Sequence, residues 1–134
     1  MRLLVRVLLS ALLTLTFSAS AMAETRVVAA GRASTILFWS TYMEDTCATG
    51  SKPKPRVTKE PEHGTLSFEW QALRMGKGAG NCAGRLGRGM RVTYRPHKGY
   101  RGTDTVKFSL GGSGVYPGAS YSLGRGFSYE IIVK

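Results

Sequence analysis

The sequence predicts an all-β protein: a sandwich of about seven short strands in two layers, clipped by one disulfide. Three observations lead there. Apolar and polar residues alternate with a period of two in one segment after another, and past residue 26 no 3.6-residue apolar period lasts three turns. Gly and Pro separate those segments at short intervals, which marks turns. The chain also carries 2 cysteines, Cys47 and Cys82, the one possible pair.

Residues 1–23 read as a cleavable signal peptide. Arg2 and Arg6 supply the positive start, residues 7–17 form an apolar stretch, and Ala19, Ala21 and Ala23 close it with small side chains. The stretch is too short for a comfortable membrane span, which needs about 20 apolar residues. No Cys follows it, so a lipid anchor is not expected, and no membrane-spanning segment is expected once the signal is removed. Residues 24–134 then form a single domain in the periplasm or outside the cell. That compartment is oxidising, so a Cys47–Cys82 bridge is the default, contributing about 3–4 kcal/mol by the chain-entropy estimate.

Each strand is argued from its own pattern. Residues 27–30 form a first strand. Residues 35–42, rich in Ile, Phe, Trp and Tyr on both faces, form a second that should be central in its sheet. Lys52-Pro53-Lys54-Pro55 breaks the pattern before a short third strand at 56–59. Residues 65–70 place Leu66, Phe68 and Trp70 on one face and Thr65, Ser67 and Glu69 on the other, the mark of a half-buried strand. Residues 74–89 alternate Gly with Arg and Lys and read as a loop that Cys82 ties down. Residues 90–95 resume alternation with Val92 and Tyr94 inward. Residues 105–110 turn Val106, Phe108 and Leu110 inward and precede a Gly/Ser turn at 111–114. Residues 115–122 are the least regular stretch, and 127–133 close the chain with Phe127, Tyr129, Ile131 and Val133 on one face.

Two segments carry a resemblance. Pro61-Glu62-His63-Gly64-Thr65-Leu66 is similar to the P-x-H-G-T-hydrophobic hairpin of bacterial Ig-like and cadherin-like repeat domains. The run from Val92 to Phe108, with Tyr94, Pro96, Gly99, Tyr100, Gly102 and Asp104 in place, resembles their Y-x-P-x-x-G-aromatic-x-G-x-D crossover. The resemblance implies an Ig-like β-sandwich with strands 90–95 and 104–110 in opposite sheets. The residues support it independently: His63 and Gly64 fit a hairpin turn, and Pro96 stops a ladder because it has no N–H. Gly99 and Gly102 permit a tight bend, and Asp104 can accept from backbone N–H groups ahead of it. Phe108 stands where a tyrosine is common, so that tyrosine's corner hydrogen bond is not expected. The family's tandem arrays and interdomain calcium find no counterpart, since Asp45 and Asp104 are the mature chain's sole aspartates and no paired acidic ligands exist. The cysteine pair and the Gly/Arg segment lie outside the repeat pattern.

Charge and chemistry bound the function. The formal net charge is +11, of which Arg2 and Arg6 leave with the signal. Such an excess attracts polyanions. Outside the inner membrane these are anionic glycan, lipopolysaccharide or an acidic envelope protein, and nucleic acid is not an expected partner. The bland alternative is that the charge only keeps the protein soluble. Arg74, Lys77, Arg85, Arg88 and Arg91 form the candidate anion- or partner-binding set, because arginine forks pair well with phosphate and carboxylate. Trp39 and Trp70 can stack on sugar rings, yet both stand in apolar strands and are expected in the core. His63 is the best candidate base, but no nucleophile accompanies it. The segment 76–80 lacks the remaining residues of a phosphate loop. No catalytic residue, metal or cofactor is expected. The preferred expectation is a non-enzymatic binding module; the others are a structural subunit that pairs through a strand edge, and a small enzyme or enzyme inhibitor.

Overall fold

The computed structural model describes residues 22–116 and 119–134. All of the expected signal peptide except Met22 and Ala23 lies outside the described residues. Seven strands form in the order β1 (Glu24–Val28), β2 (Ser34–Trp39), β3 (Lys54–Lys59), β4 (Gly64–Arg74), β5 (Leu86–Pro96), β6 (Gly102–Tyr116) and β7 (Ala119–Val133), with a short 3₁₀ turn at Lys77–Cys82 between β4 and β5. They make two sheets, a four-stranded one ordered β1-β7-β6-β3 and a three-stranded one ordered β2-β5-β4. The chain is therefore an all-β sandwich with one disulfide, as its alternation predicts.

The alternating apolar positions meet between the layers. From the three-stranded sheet Ile36, Met90, Val92 and Tyr94 are buried, and from the four-stranded sheet Val28, Val106, Phe108, Leu110, Tyr129, Ile131 and Val133. Phe68 of β4 meets Phe108 of β6 edge to face across the layers, ring centres 5.4 Å apart, a geometry that matches ring quadrupoles as well as burying area. Full burial of each such side chain contributes about 1.5–3 kcal/mol. Trp39, Leu66 and Trp70 pack half-buried against the same core.

Strands 5 and 6 lie in opposite sheets, as the crossover motif implies. Four other expectations are corrected. The first strand is 24–28, because β1 runs parallel to β7, Glu24 beside Tyr129 through Val28 beside Val133; beyond it Ala30 N–H bonds Lys134 O at 2.7 Å. β2 is an edge strand. Its apolar character on both faces has a different cause: a bulge at Ile36 sends one residue more to the core, while Phe38 faces outward, 45% exposed. The expected 74–89 loop is shorter, 75–85, for β4 and β5 pair without a break from Gly64 beside Pro96 to Arg74 beside Leu86. The supposed turn at 111–114 belongs to β6, which pairs with β7 as far as Tyr116 opposite Ala119. In both segments glycine substitutes for a side chain within a ladder instead of breaking it. Residues 117–118 lie outside the described residues.

Candidate functional site

The β4–β5 ladder has two ends, and each gathers a set of the residues singled out above. At the Gly64–Pro96 end the two motif segments meet. His97 N–H donates to His63 O at 2.8 Å, and Tyr100 stacks on the His63 ring at 4.1 Å, 11° from parallel. Gly64 has to be glycine, since a Cβ there would lie 2.6 Å from both Arg95 O and the Tyr94 ring. Gly99 and Gly102 adopt positive φ, 80° and 143°, and the Tyr100 ring folds over Gly102 while its hydroxyl donates to Thr103 O at 2.8 Å. Pro96 ends β5 in a buried position.

Asp104 is the centre of this end. It is 4% exposed and its carboxylate accepts four hydrogen bonds: from Tyr94 hydroxyl at 2.8 Å, His63 N–H at 2.9 Å, Thr105 N–H at 2.9 Å and Glu62 N–H at 3.1 Å. Sequence reasoning foresaw the local bond to Thr105 and missed the others: Tyr94, 10 residues back on β5, and His63 and Glu62, 41 and 42 residues away in the β3–β4 turn. Burial opposes the charge, yet the N–H of His63, the Tyr94 hydroxyl and the N–H groups of Glu62 and Thr105 outweigh it and hold the carboxyl below the ordinary aspartate value. Burial, then the bond to Asp104, pushes the Tyr94 hydroxyl well above the ordinary tyrosine value. Tyr94 thus makes a corner bond that position 108 cannot. The Asp104 carboxylate is fully occupied by protein donors, so this centre is structural.

The Arg74–Leu86 end is the opposite. Cys47 and Cys82 are bonded, Cα atoms 5.4 Å apart, clipping the turn beyond β4 to the segment that follows β2. That segment folds on itself through Met43 N–H to Ala48 O at 3.0 Å, Cys47 N–H to Met43 O at 2.8 Å and Gly50 N–H to Thr41 O at 2.8 Å. The β4–β5 turn closes through Met75 N–H to Arg85 O and Gly84 N–H to Met75 O, both 2.8 Å. Cys82 is fully buried, so the bridge is the small core of this tip.

The five candidate cations do not form one cluster. Arg74 is part of the scaffold, donating to Gly84 O. Arg88 stands on the core-facing side of β5 just past Met90, its guanidinium 5.8 Å from the Trp70 ring centre. Arg91 is on the outer side, 5.1 Å over Phe38, and with the Gln71 amide turned to present its oxygen it donates to that oxygen at 2.8 and 3.1 Å. Lys77 and Arg85 are exposed and bond nothing through their side chains. Period-two alternation separates Arg88 from Arg91, a division legible in the sequence once the segment is read as strand. Among the described residues the one ion pair is Glu24–Arg26, so none of the five is neutralised by a contacting acid. Two acids do approach: Glu69 stands opposite Arg91 in the β4–β5 ladder, and Glu44, on the clipped segment, lines a hollow with Gly78 and Ala79 of the turn.

On the outer side of the same end lies a cleft of about 280 Å³, lined by Phe38, Trp39, Tyr42, Leu73, Arg74 and Met75 among others. Sequence reasoning missed it. Its cause is Gly87 and Gly89 on the central strand: a Cβ at Gly89 would strike Leu73 Cδ2, and one at Gly87 would lie 2.8 Å from Met75 Cε and 2.6 Å from Thr49 Cγ2. The glycines let Leu73 and Met75 lie down on the sheet and form an apolar floor. A second hollow of about 250 Å³ adjoins it, sharing Tyr42 and Ala79 and adding Glu44 and Asn81.

Fold and site together define a class: a small all-β sandwich with one self-satisfied end and one basic, disulfide-clipped end beside an apolar cleft. Comparison with family models, curated proteins and solved structures finds no match for this chain.

Proposed function

We propose that this protein is an exported, non-enzymatic Ig-like module that engages an anionic envelope component or partner protein through its clipped basic tip. One observation carries the reading: Lys77, Arg85 and Arg88 project from a tip rigidified by the Cys47–Cys82 bond, with no acid in contact to neutralise them. Fixed cations lose less entropy on pairing with phosphate or carboxylate than mobile ones. The Ig-like part is supported by the strand order, in which the first strand runs parallel to the last and four of the six successive connections change sheets. The leader in the first 23 residues supports export to the periplasm or beyond. The test is retention of the protein on a sulfated polysaccharide matrix. Retention should fall with added salt and be lost in the Arg85→Ala/Arg88→Ala variant, whereas Arg91→Ala, on the other face, should retain it. Equal retention of all three proteins overturns the reading.

A second reading, pairing with another chain through a strand edge, is favoured by β4. It is an edge strand of 11 residues with an unbroken register and no proline. β3, one edge of the other sheet, carries Lys54, Pro55, Lys59 and a bulge, the usual defences against edge pairing. A concentration-dependent dimer in sedimentation that a Phe68→Pro change disrupts would favour this reading over the first.

A further inference from the structure

We infer that β4 pairs with β4 of a second copy of this chain, antiparallel and in one register: Phe68 beside Phe68 and Leu66 beside Trp70, about a twofold axis normal to the sheet. The inference rests on the edge-pairing reading above and names its partner and alignment. Of the four edge strands, β1, β2 and β3 have 5, 6 and 6 residues, and β4 has 11. β4 pairs with β5 along its whole length, so among the described residues its other side offers backbone N–H and C=O groups with no strand beside them. The same strand leaves Leu66, Phe68 and Trp70 against the core but only partly buried. A strand added there covers that row and continues the core.

Charge selects the register. Residues directly opposite in an antiparallel pair share a face, so the apolar row of one copy continues that of the other only in alignments two residues apart. The alignment centred on Glu69 pairs all 11 residues, but it sets Glu69 beside Glu69, and like charges directly opposite destabilise a ladder. Arg91, the neighbour of Glu69 on β5, is turned to Phe38 and the Gln71 side chain and makes no ion pair with it. Centring on Trp70 sets Leu66 beside Arg74, an apolar residue against a charge. Centring on Phe68 removes both faults. It puts Glu69 beside Ser67 and brings Glu62, two residues before β4, level with Arg74, so opposite charges meet at each end of the contact. Further shifts shorten the paired stretch. A row that fits itself when turned about a twofold is the condition for an isologous dimer, which is why the partner is a second copy.

The experiment measures the monomer–dimer equilibrium of the disulfide-bonded protein by sedimentation, with two variants at exposed Ser67. Ser67→Lys stands beside Glu69 of the other copy, twice per dimer, and should tighten the dimer about threefold; Ser67→Glu in the same place should weaken it about threefold. The general effect of net charge runs the other way, because the protein is already basic and an added lysine increases repulsion between copies. In the alignment centred on Glu69, position 67 would face Gln71 instead, and the two variants would not part in this sense. Circular dichroism and an intact disulfide check that both fold. A dimer that Phe68→Pro disrupts but that the Ser67 variants leave unchanged, or shift in the opposite sense, overturns this register while the edge-pairing reading stands. A dimer that Phe68→Pro leaves intact has its contact elsewhere and overturns both. A protein that stays monomeric at every concentration overturns the inference and removes the support for edge pairing with it.

Discussion

The two ends of the β4–β5 hairpin are built on opposite plans. At the Gly64–Pro96 end a buried carboxylate is surrounded by four donors, and every glycine singled out there is required by a close neighbour or a positive φ. At the Arg74–Leu86 end the donors are arginines, the acceptors are backbone carbonyls and one amide, and cations and apolar surface remain in water. A polar group that is satisfied internally stabilises a fold and has nothing left to offer a ligand. The contrast therefore separates the end that holds the sandwich together from the end that is available for binding.

Substitutions that exchange these properties should break the contrast, and the largest effect belongs to Asp104. Asp104→Ala leaves the Tyr94 hydroxyl and three N–H groups without their acceptor, with an expected loss of about 4 kcal/mol in urea unfolding. The same carboxyl sets the acid limb. Its folded pKa is depressed, so its contribution is complete above the unfolded value of about 3.9 and disappears as pH falls through the lower folded value. Stability measured from pH 5 downward should decline less steeply in Asp104→Asn than in the parent. A decline of equal steepness would remove Asp104 from its central place.

Next in size is the clip. Cys47→Ser with Cys82→Ser should cost about 3 kcal/mol, with hydrogen exchange accelerating in residues 75–85 while the amides of His63 and Thr105 stay protected. Uniform loss of protection would mean that the two ends are one cooperative unit. Glycine positions sharpen the comparison further. Gly64→Ala should cost about 2–3 kcal/mol, since its Cβ meets backbone and a buried ring. Gly78→Ala at the tip, with nothing within 4 Å, should stay within about 0.5 kcal/mol of the parent. The smallest stability effect is expected for Lys77→Ala with Arg85→Ala, again within about 0.5 kcal/mol, although retention on an anionic matrix should fall. A destabilised double variant would show that those cations hold structure.

Legibility differed between the ends for a physical reason. The Gly64–Pro96 end is written in local chemistry: a proline that stops a ladder, glycines for a bend and an aspartate before a strand can each be read from a few neighbouring residues. Even there the bonds from Glu62 and His63 to Asp104 escaped notice, because they join positions more than 40 apart. The other end misled. Gly87 and Gly89 suggested a loop, since glycine in a strand interior weakens it and the pattern shows no apolar partner. The partners are Leu73 and Met75 from the neighbouring strand and Thr49 from the clipped segment, and only the folded chain brings them near. β2 misled in the same way, its outward Phe38 belonging to a cleft and not to a second buried face.

The residues alone were enough for the all-β class, most of the core and the pairing of the two cysteines, because side-chain alternation is a local rule and a single pair allows one bridge. Tertiary structure decided which strands are edges, that Arg88 and Arg91 part to opposite faces, that Glu44 comes to stand beside a basic turn, and that two glycines hollow the sheet. Each of these depends on segments distant in the chain arriving side by side, and sequence spacing carries no information about the space between them.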